Sequence, residues 1–222
     1  MSRPERASAA PPRAPRYVWL TGLVALLVVV VIAGHSLAGS SGAGGIAPGQ
    51  RIPPFAVPLA LGSLNGDANI ATHANDGGAG RVPACSVHLA QALNVCESYD
   101  RGPLVLALFV NAGGCPAVLA DLQRLAGAYP GLQLAAVQIR GNRNALRTLV
   151  RRDRLSYPVG YDHDGVLADL YRVSSCPQVS FVAPGGIVAE SALLGNTTAA
   201  ALQSRVAGLV ADARAHGWRP PA

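Results

Sequence analysis

The sequence predicts an α/β fold: a small mixed β-sheet flanked by helices and preceded by one N-terminal transmembrane helix. Three observations predict it. Apolar strand-like runs alternate with helix-periodic segments through the middle of the chain, a tight turn joins the last two strands, and one long uncharged stretch lies near the amino terminus.

That stretch runs from Tyr17 to Gly34 without a formal charge and includes the unbroken apolar run Leu26–Ala33. It is just long enough to cross a bilayer, so residues 17–35 are read as a transmembrane anchor or uncleaved signal. Arg3, Arg6, Arg13 and Arg16 precede it against Glu5 alone, and the next Arg or carboxylate after it is Arg51. By the positive-inside rule, residues 1–16 form a cytoplasmic basic tail and the rest lies outside the cytoplasm, a single-pass arrangement in the cell membrane. Ser36-Leu37-Ala38 leaves a cleaved signal peptide open as the alternative.

The net charge of +6 is shared between this tail and the remainder, and topology explains the first share, so no nucleic-acid partner is expected. All 18 basic residues counted as Lys or Arg are Arg. Residues 36–50 are rich in Gly, Ser and Ala and read as a flexible linker. Residues 51–215 then hold the folded domain, and residues 216–222 are a tail.

Within the domain, Ile52 to Leu61 reads as an extended, proline-studded edge segment, and Ser63 to Pro83 as a long loop or hairpin. Leu104–Val110 is an apolar run suited to a strand buried on both faces. Asn111-Ala-Gly-Gly follows as a loop, and Cys115 stands where a helix carrying Leu119, Leu122 and Leu125 begins. Leu132–Ile139 is a second strand, 144–153 a helix, Tyr157–Tyr161 a short strand and Val166–Tyr171 a short helix. Pro184-Gly185-Gly186 joins two further strands as a hairpin, and 197–214 closes the domain as a helix.

Four residues are candidates for chemistry, the cysteines. Cys85 and Cys96 bracket one short segment of an exported domain and are read as a structural disulfide; a metal pair is the alternative, with His88 as the other nearby soft ligand. A thiol at a helix start faces unpaired N–H groups and the positive end of the helix dipole, which favour thiolate and make Cys115 a candidate nucleophile. The bland alternative is a small apolar core residue. Arg143, Arg147 and Arg151 recur at i, i+4, i+8, with Arg140, Arg152 and Arg154 near. They read either as a solvated face or as a patch for anionic lipid or an acidic partner.

Three passages carry a resemblance. Leu108-Phe-Val-Asn-Ala-Gly-Gly-Cys-Pro-Ala-Val resembles the strand and Cys-x-x-Cys site of the thioredoxin-like superfamily, and within it the membrane-anchored extracytoplasmic thiol-disulfide oxidoreductases and their peroxiredoxin relatives. Tyr157 to Val173 is similar to that family's "strand, Asp-x-x-Gly, short helix, Tyr-x-Val" passage. Ser175-Cys-Pro-Gln-Val-Ser-Phe-Val-Ala-Pro-Gly-Gly resembles its cis-proline loop and hairpin.

The departures are specific. Val118 stands where the family has its second cysteine, Gly114 where an aromatic precedes the first, and no carboxylate lies between Arg101 and Asp121. The resemblance implies that Pro177 is cis and that its loop brings Cys176 close to Cys115. The site it implies is therefore Cys115 as nucleophile, Cys176 as resolving thiol and Pro177 beside them.

The function this implies is an extracytoplasmic thiol-disulfide oxidoreductase acting on a protein thiol or disulfide. No cofactor and no metal are expected. The alternative, from a different class, is a redox-inactive module of the same fold that holds a protein partner at the membrane. A peroxidase fits less well because Ala112 stands three before Cys115, where such enzymes carry Thr. A copper carrier would use Cys115, Cys176 and His163.

Overall fold

The computed structural model describes residues 44–64, 83–195 and 197–221, preceded by residues 19, 22–24 and 26–28. The chain divides into two units, Met1–Gly42 and Ala43–Ala222. In the first, the described residues are helical, and Trp19, Leu23, Leu26 and Leu27 are exposed. No helix among the described residues is long and apolar enough to cross a membrane. Most of the predicted span, residues 17–35, lies outside the described residues, as does most of the loop predicted between Ser63 and Pro83.

Among its described residues the second unit has seven strands: β1 (Ala56–Pro58), β2 (Ala92–Asn94), β3 (Leu104–Val110), β4 (Gln133–Arg140), β5 (Val159–Tyr161), β6 (Gln178–Ala183) and β7 (Ile187–Leu194). Its helices are α1 (Val95–Arg101), α2 (Ala117–Leu125), α3 (Arg143–Arg152), α4 (Val166–Leu170) and α5 (Ala199–Ala215). Five strands form one mixed sheet in the order β5-β4-β3-β6-β7. β3, β4 and β5 are parallel to one another, β6 runs antiparallel to β3, and β7 runs antiparallel to β6. This is a mixed α/β thioredoxin-like fold.

β3 is central, and its sequence shows why. Leu104, Leu106 and Leu108 point to one face while Val105, Ala107 and Phe109 point to the other, and all six are fully buried. A strand covered on both sides has no polar face to offer, which is why its sequence does not alternate. On the Val105 face, α2, α3 and α5 pack through Leu119, Leu122, Leu146, Leu149, Leu202 and Val206. On the Leu104 face lie α1, α4 and β1, through Val95, Leu167, Tyr171 and Val57.

The helix ends follow from their caps. Asn142 accepts from the Asn144 and Ala145 amides to start α3, and the Thr198 hydroxyl accepts from the Ala201 amide to start α5. The hairpin between β6 and β7 turns through Gly185 and Gly186, whose φ values of 82° and 85° disfavour a side chain. At Gly160 the need is space instead: a Cβ there would sit 2.5 Å from Val57 Cγ2, because β1 crosses close over β5.

Several segments are more tightly held than their composition suggests. Ile52 to Pro58, expected as an edge segment, is buried: Phe55 and Val57 are inaccessible, β1 pairs antiparallel with β2, and Phe55 packs edge-to-face on Tyr171. Residues 44–50, expected within a flexible linker, are docked. Gly45 N donates to Arg172 O, Gly49 N to Val188 O, and Val188 N to Gln50 O. At the other terminus, Trp218 packs over Gly131 and Gly102, so the tail is anchored too.

The arginine run resolves into two groups. Arg143 donates to the Leu59, Gly62 and Leu64 carbonyls, and Arg147 to the Ala60 and Gly62 carbonyls. Both clamp the segment after β1 onto α3, an arrangement that neither a lipid patch nor a freely solvated face describes. Arg151, Arg152 and Arg154 stay exposed.

Candidate redox site

The site forms where three pieces of chain meet at the C-terminal end of β3. Pairing of β3 with β6 ends at Leu108 opposite Gln178, and the β3 register against β4 slips between Phe109 and Val110. Asn111 to Pro116 then turn back, with Cys115 N donating to Ala112 O. α2 begins at Ala117, two residues later than the sequence predicts, so Cys115 sits in the turn that leads into the helix. From the opposite side comes the Cys176–Pro177 bond, which is cis, on the loop leading into β6; Gly195 N donates to Pro177 O and ties that loop to the end of β7.

These pieces place Cys115 and Cys176 together in a disulfide, with Cα atoms 5.4 Å apart and the two residues 61 positions apart in sequence. Cys85 and Cys96 form a second, 5.3 Å between Cα atoms, and no cysteine is free. The Val110 amide points at the first pair, 3.1 Å from Cys176 Sγ and 3.4 Å from Cys115 Sγ. Sequence reasoning missed this donor, because a backbone N–H has no letter; the signal available was the end of the apolar run at Val110 directly before the turn.

The two sulfurs differ in environment. Cys115 is 6% exposed and belongs to the core cluster with Val118, Leu119 and Leu122. Cys176 is only partly buried at the rim of that cluster. Val118, at the position of the family's second cysteine, is a core residue at 3% exposure. Beside the disulfide lies a cavity of about 230 Å³ bounded by Gly114, Ala117, Val118, Asp121, Pro177 and Thr197. Asp121 on its wall is paired with Arg124.

Buried titratable groups lie elsewhere. Asp162 follows β5, fully buried, and accepts from the Gly165 and Leu167 amides at 3.1 and 2.9 Å. Burial, reinforced by the hydrogen bond that the protonated carboxyl donates to Asp164, pushes it up to about 7 against those two amides. Burial also pushes the Tyr157 and Tyr171 phenols up; each donates to a carbonyl, of Leu119 and of Pro53 respectively. On β4 the Gln138 side chain is buried with no partner among the described residues, and being neutral it cannot carry a proton for the sulfurs.

The Cys85–Cys96 bridge sits in a small lobe organised by buried Asn94. Its Nδ2 donates to the Ala84, Cys85 and Val87 carbonyls, and its Oδ1 caps α1 by accepting from Cys96 N. His88 pairs with Glu97 on the surface of this lobe. His163 packs edge-to-face on Tyr161. Among the described residues no three His, Cys, Asp or Glu side chains come together as a metal site.

No protein-family model matches the chain. No curated protein matches it. Solved structures do. A candidate thiol:disulfide interchange protein DsbE from Chlorobium tepidum superimposes with a TM-score of 0.56 at 15% identity, over 74% of this chain and 99% of that one. A thiol-disulfide oxidoreductase from Bacteroides fragilis gives 0.52 at 18% identity, over 72% and 99%. Peroxidoxin BcpB from Mycobacterium tuberculosis gives 0.55 at 12%, over 75% and 97%. At these identities the likeness is one of fold, and the fold is one that thiol-disulfide oxidoreductases use.

Proposed function

We propose that this protein is an extracytoplasmic thiol-disulfide oxidoreductase whose redox couple is Cys115 with Cys176, acting on protein thiols or disulfides from a membrane anchor at residues 17–35. One observation carries the reading. Two cysteines on separate elements, 61 residues apart, meet in a disulfide under a shared backbone donor and beside a cavity. A bond placed only for stability needs neither the donor nor the cavity. The pairing replaces the Cys-x-x-Cys arrangement that Val118 rules out, and disulfide exchange asks only that two sulfurs bond reversibly and that one be reachable.

For the anchor, the support is the uncharged stretch, the arginines before it, and the exposed apolar side chains Trp19, Leu23, Leu26 and Leu27 in the described helical residues. A redox-inactive docking module is the second reading, favoured by the near-complete burial of Cys115.

The deciding experiment is equilibration of the full chain with reduced and oxidised dithiothreitol, followed by mass mapping of each disulfide. The oxidoreductase reading expects Cys115–Cys176 to open reversibly while Cys85–Cys96 stays closed. A Cys115–Cys176 bond that resists reduction until the protein unfolds would establish the docking module.

A further inference from the structure

We infer that Cys176, and not Cys115, is the sulfur through which this protein exchanges with its substrates, Cys115 being the internal partner that leaves and later re-forms the bond. This rests on the oxidoreductase reading above and inverts the roles that the resemblance implies.

Access decides the first point. Exchange proceeds by attack of a thiolate on one sulfur, roughly in line with the bond that breaks, so the attacked sulfur must be open on its far side. Cys115 is 6% exposed and packed among Val118, Leu119 and Leu122. Its far side is core. Cys176 lies on the loop at the rim, followed by Pro177, which forms one wall of the 230 Å³ cavity. That cavity is walled by Gly114, Ala117 and Val118 as well as by Pro177, so it serves the disulfide as a whole, and it is the greater exposure of Cys176 that decides which sulfur a substrate reaches.

Charge decides the second. When Cys176 is attacked, Cys115 must leave as a thiolate, and a low-energy leaving thiolate speeds the step. Cys115 sits in the turn entering α2, a nine-residue helix, and 3.4 Å from the Val110 amide. In the reverse direction Cys176 must itself be a thiolate, and the same amide stands 3.1 Å from it. One N–H within reach of both sulfurs can follow the charge from one to the other as the bond opens and closes.

The steps balance as follows. In the oxidising direction a substrate thiolate bonds to Cys176 Sγ, the Cys115–Cys176 bond breaks, and its electron pair leaves on Cys115 Sγ. A second substrate thiolate then attacks the first substrate sulfur. The substrate disulfide forms, the bond to Cys176 breaks, and Cys176 departs as a thiolate. Two substrate thiols have been oxidised and one protein disulfide reduced, the substrate protons passing to the two protein thiolates through water. With a substrate disulfide the sequence runs backwards: Cys176 attacks, and Cys115 displaces the substrate from it.

The test compares full-length Cys115→Ser and Cys176→Ser chains reacting with glutathione disulfide, with the mixed disulfide followed by intact mass. Cys115→Ser, which keeps Cys176, is expected to be glutathionylated at least about tenfold faster. Because either variant can fold poorly, the wild-type chain is also reduced and treated with limiting iodoacetamide; mapping is expected to find Cys176 modified ahead of Cys115. Preferential modification of Cys115 in that native chain overturns the inference and leaves the oxidoreductase reading standing. If dithiothreitol does not open the wild-type bond without unfolding, both fall.

Discussion

The amide of Val110 lies 3.1 Å from the sulfur of Cys176, two residues beyond the point where β3 stops pairing with β6. Where β3 runs out of its β6 partner, its next donor goes to the Cys176 sulfur. The expected outcome is measurable by hydrogen exchange: in the oxidised protein the Val110 amide exchanges far more slowly than those of Asn111 to Gly114 in the following turn. Exchange at the rate of that turn would show that the contact does not persist in solution.

Asp162 supplies a pH dependence whose sign is fixed. Its carboxyl holds a proton up to about pH 7 in the folded chain, whereas the unfolded chain releases it near pH 3.9. Between those values the folded state binds more protons, so stability is greatest at the acid end, falls as pH rises towards 7, and is flat above. The fall is about 4 kcal/mol at most, with the Gly165 and Leu167 amides, which favour the charged form, already counted in that figure. Urea melts at several pH values should show this slope in the wild type and its loss in Asp162→Asn. Parallel curves for the two would remove Asp162 as its source.

Asn94 should be the residue on which the Cys85–Cys96 lobe depends. Replacing it by Ala removes its bonds to the Ala84, Cys85 and Val87 carbonyls, of which Ala84 keeps the Val87 amide, and leaves α1 without its cap, at a cost of about 2–4 kcal/mol. Differential scanning calorimetry would register this as a drop in Tm with the disulfide intact. A change under about 0.5 kcal/mol would mean that the bridge alone holds the lobe.

Arg147 offers a test between scaffold and surface patch. Its guanidinium bonds the Ala60 and Gly62 carbonyls, so Arg147→Ala should lose about 1–2 kcal/mol and speed protease cleavage near Leu61. Binding to anionic vesicles through the folded domain should be unchanged. Weakened vesicle binding with unaltered proteolysis would reverse that assignment.

The location is testable separately. A reporter that is active only outside the cytoplasm, fused after Ala222, is expected to be active, and removing residues 1–35 is expected to silence it. Activity without those residues would discard the proposed anchor.

Much of the architecture was legible because β3, β4, the hairpin and α3 each carry their own signal. The run Leu104–Val110 matches its strand residue for residue, and Pro184-Gly185-Gly186 turns where expected. What escaped was structure held by distant partners. β2 and α1 were not anticipated, since Ala92 to Arg101 is short and owes its shape to Asn94 and to pairing with β1. Arg143 and Arg147 read as surface charge because nothing local announces that carbonyls more than 75 residues earlier will receive them. At the site, the cysteines were visible as letters. Which of them faces solvent was not, because burial of Cys115 depends on how α2 settles on the sheet.

Trp218 closes over Gly131 and Gly102 at the end of the sheet where β3 begins, and the disulfide stands where β3 ends. Seven strand residues separate those poles by about 20 Å. An affinity handle or solid support attached through the carboxyl terminus should therefore leave the sulfur-bearing pole unobstructed. The indole, in turn, should serve as a fluorescent gauge of global unfolding that ignores events at the Cys115–Cys176 bond.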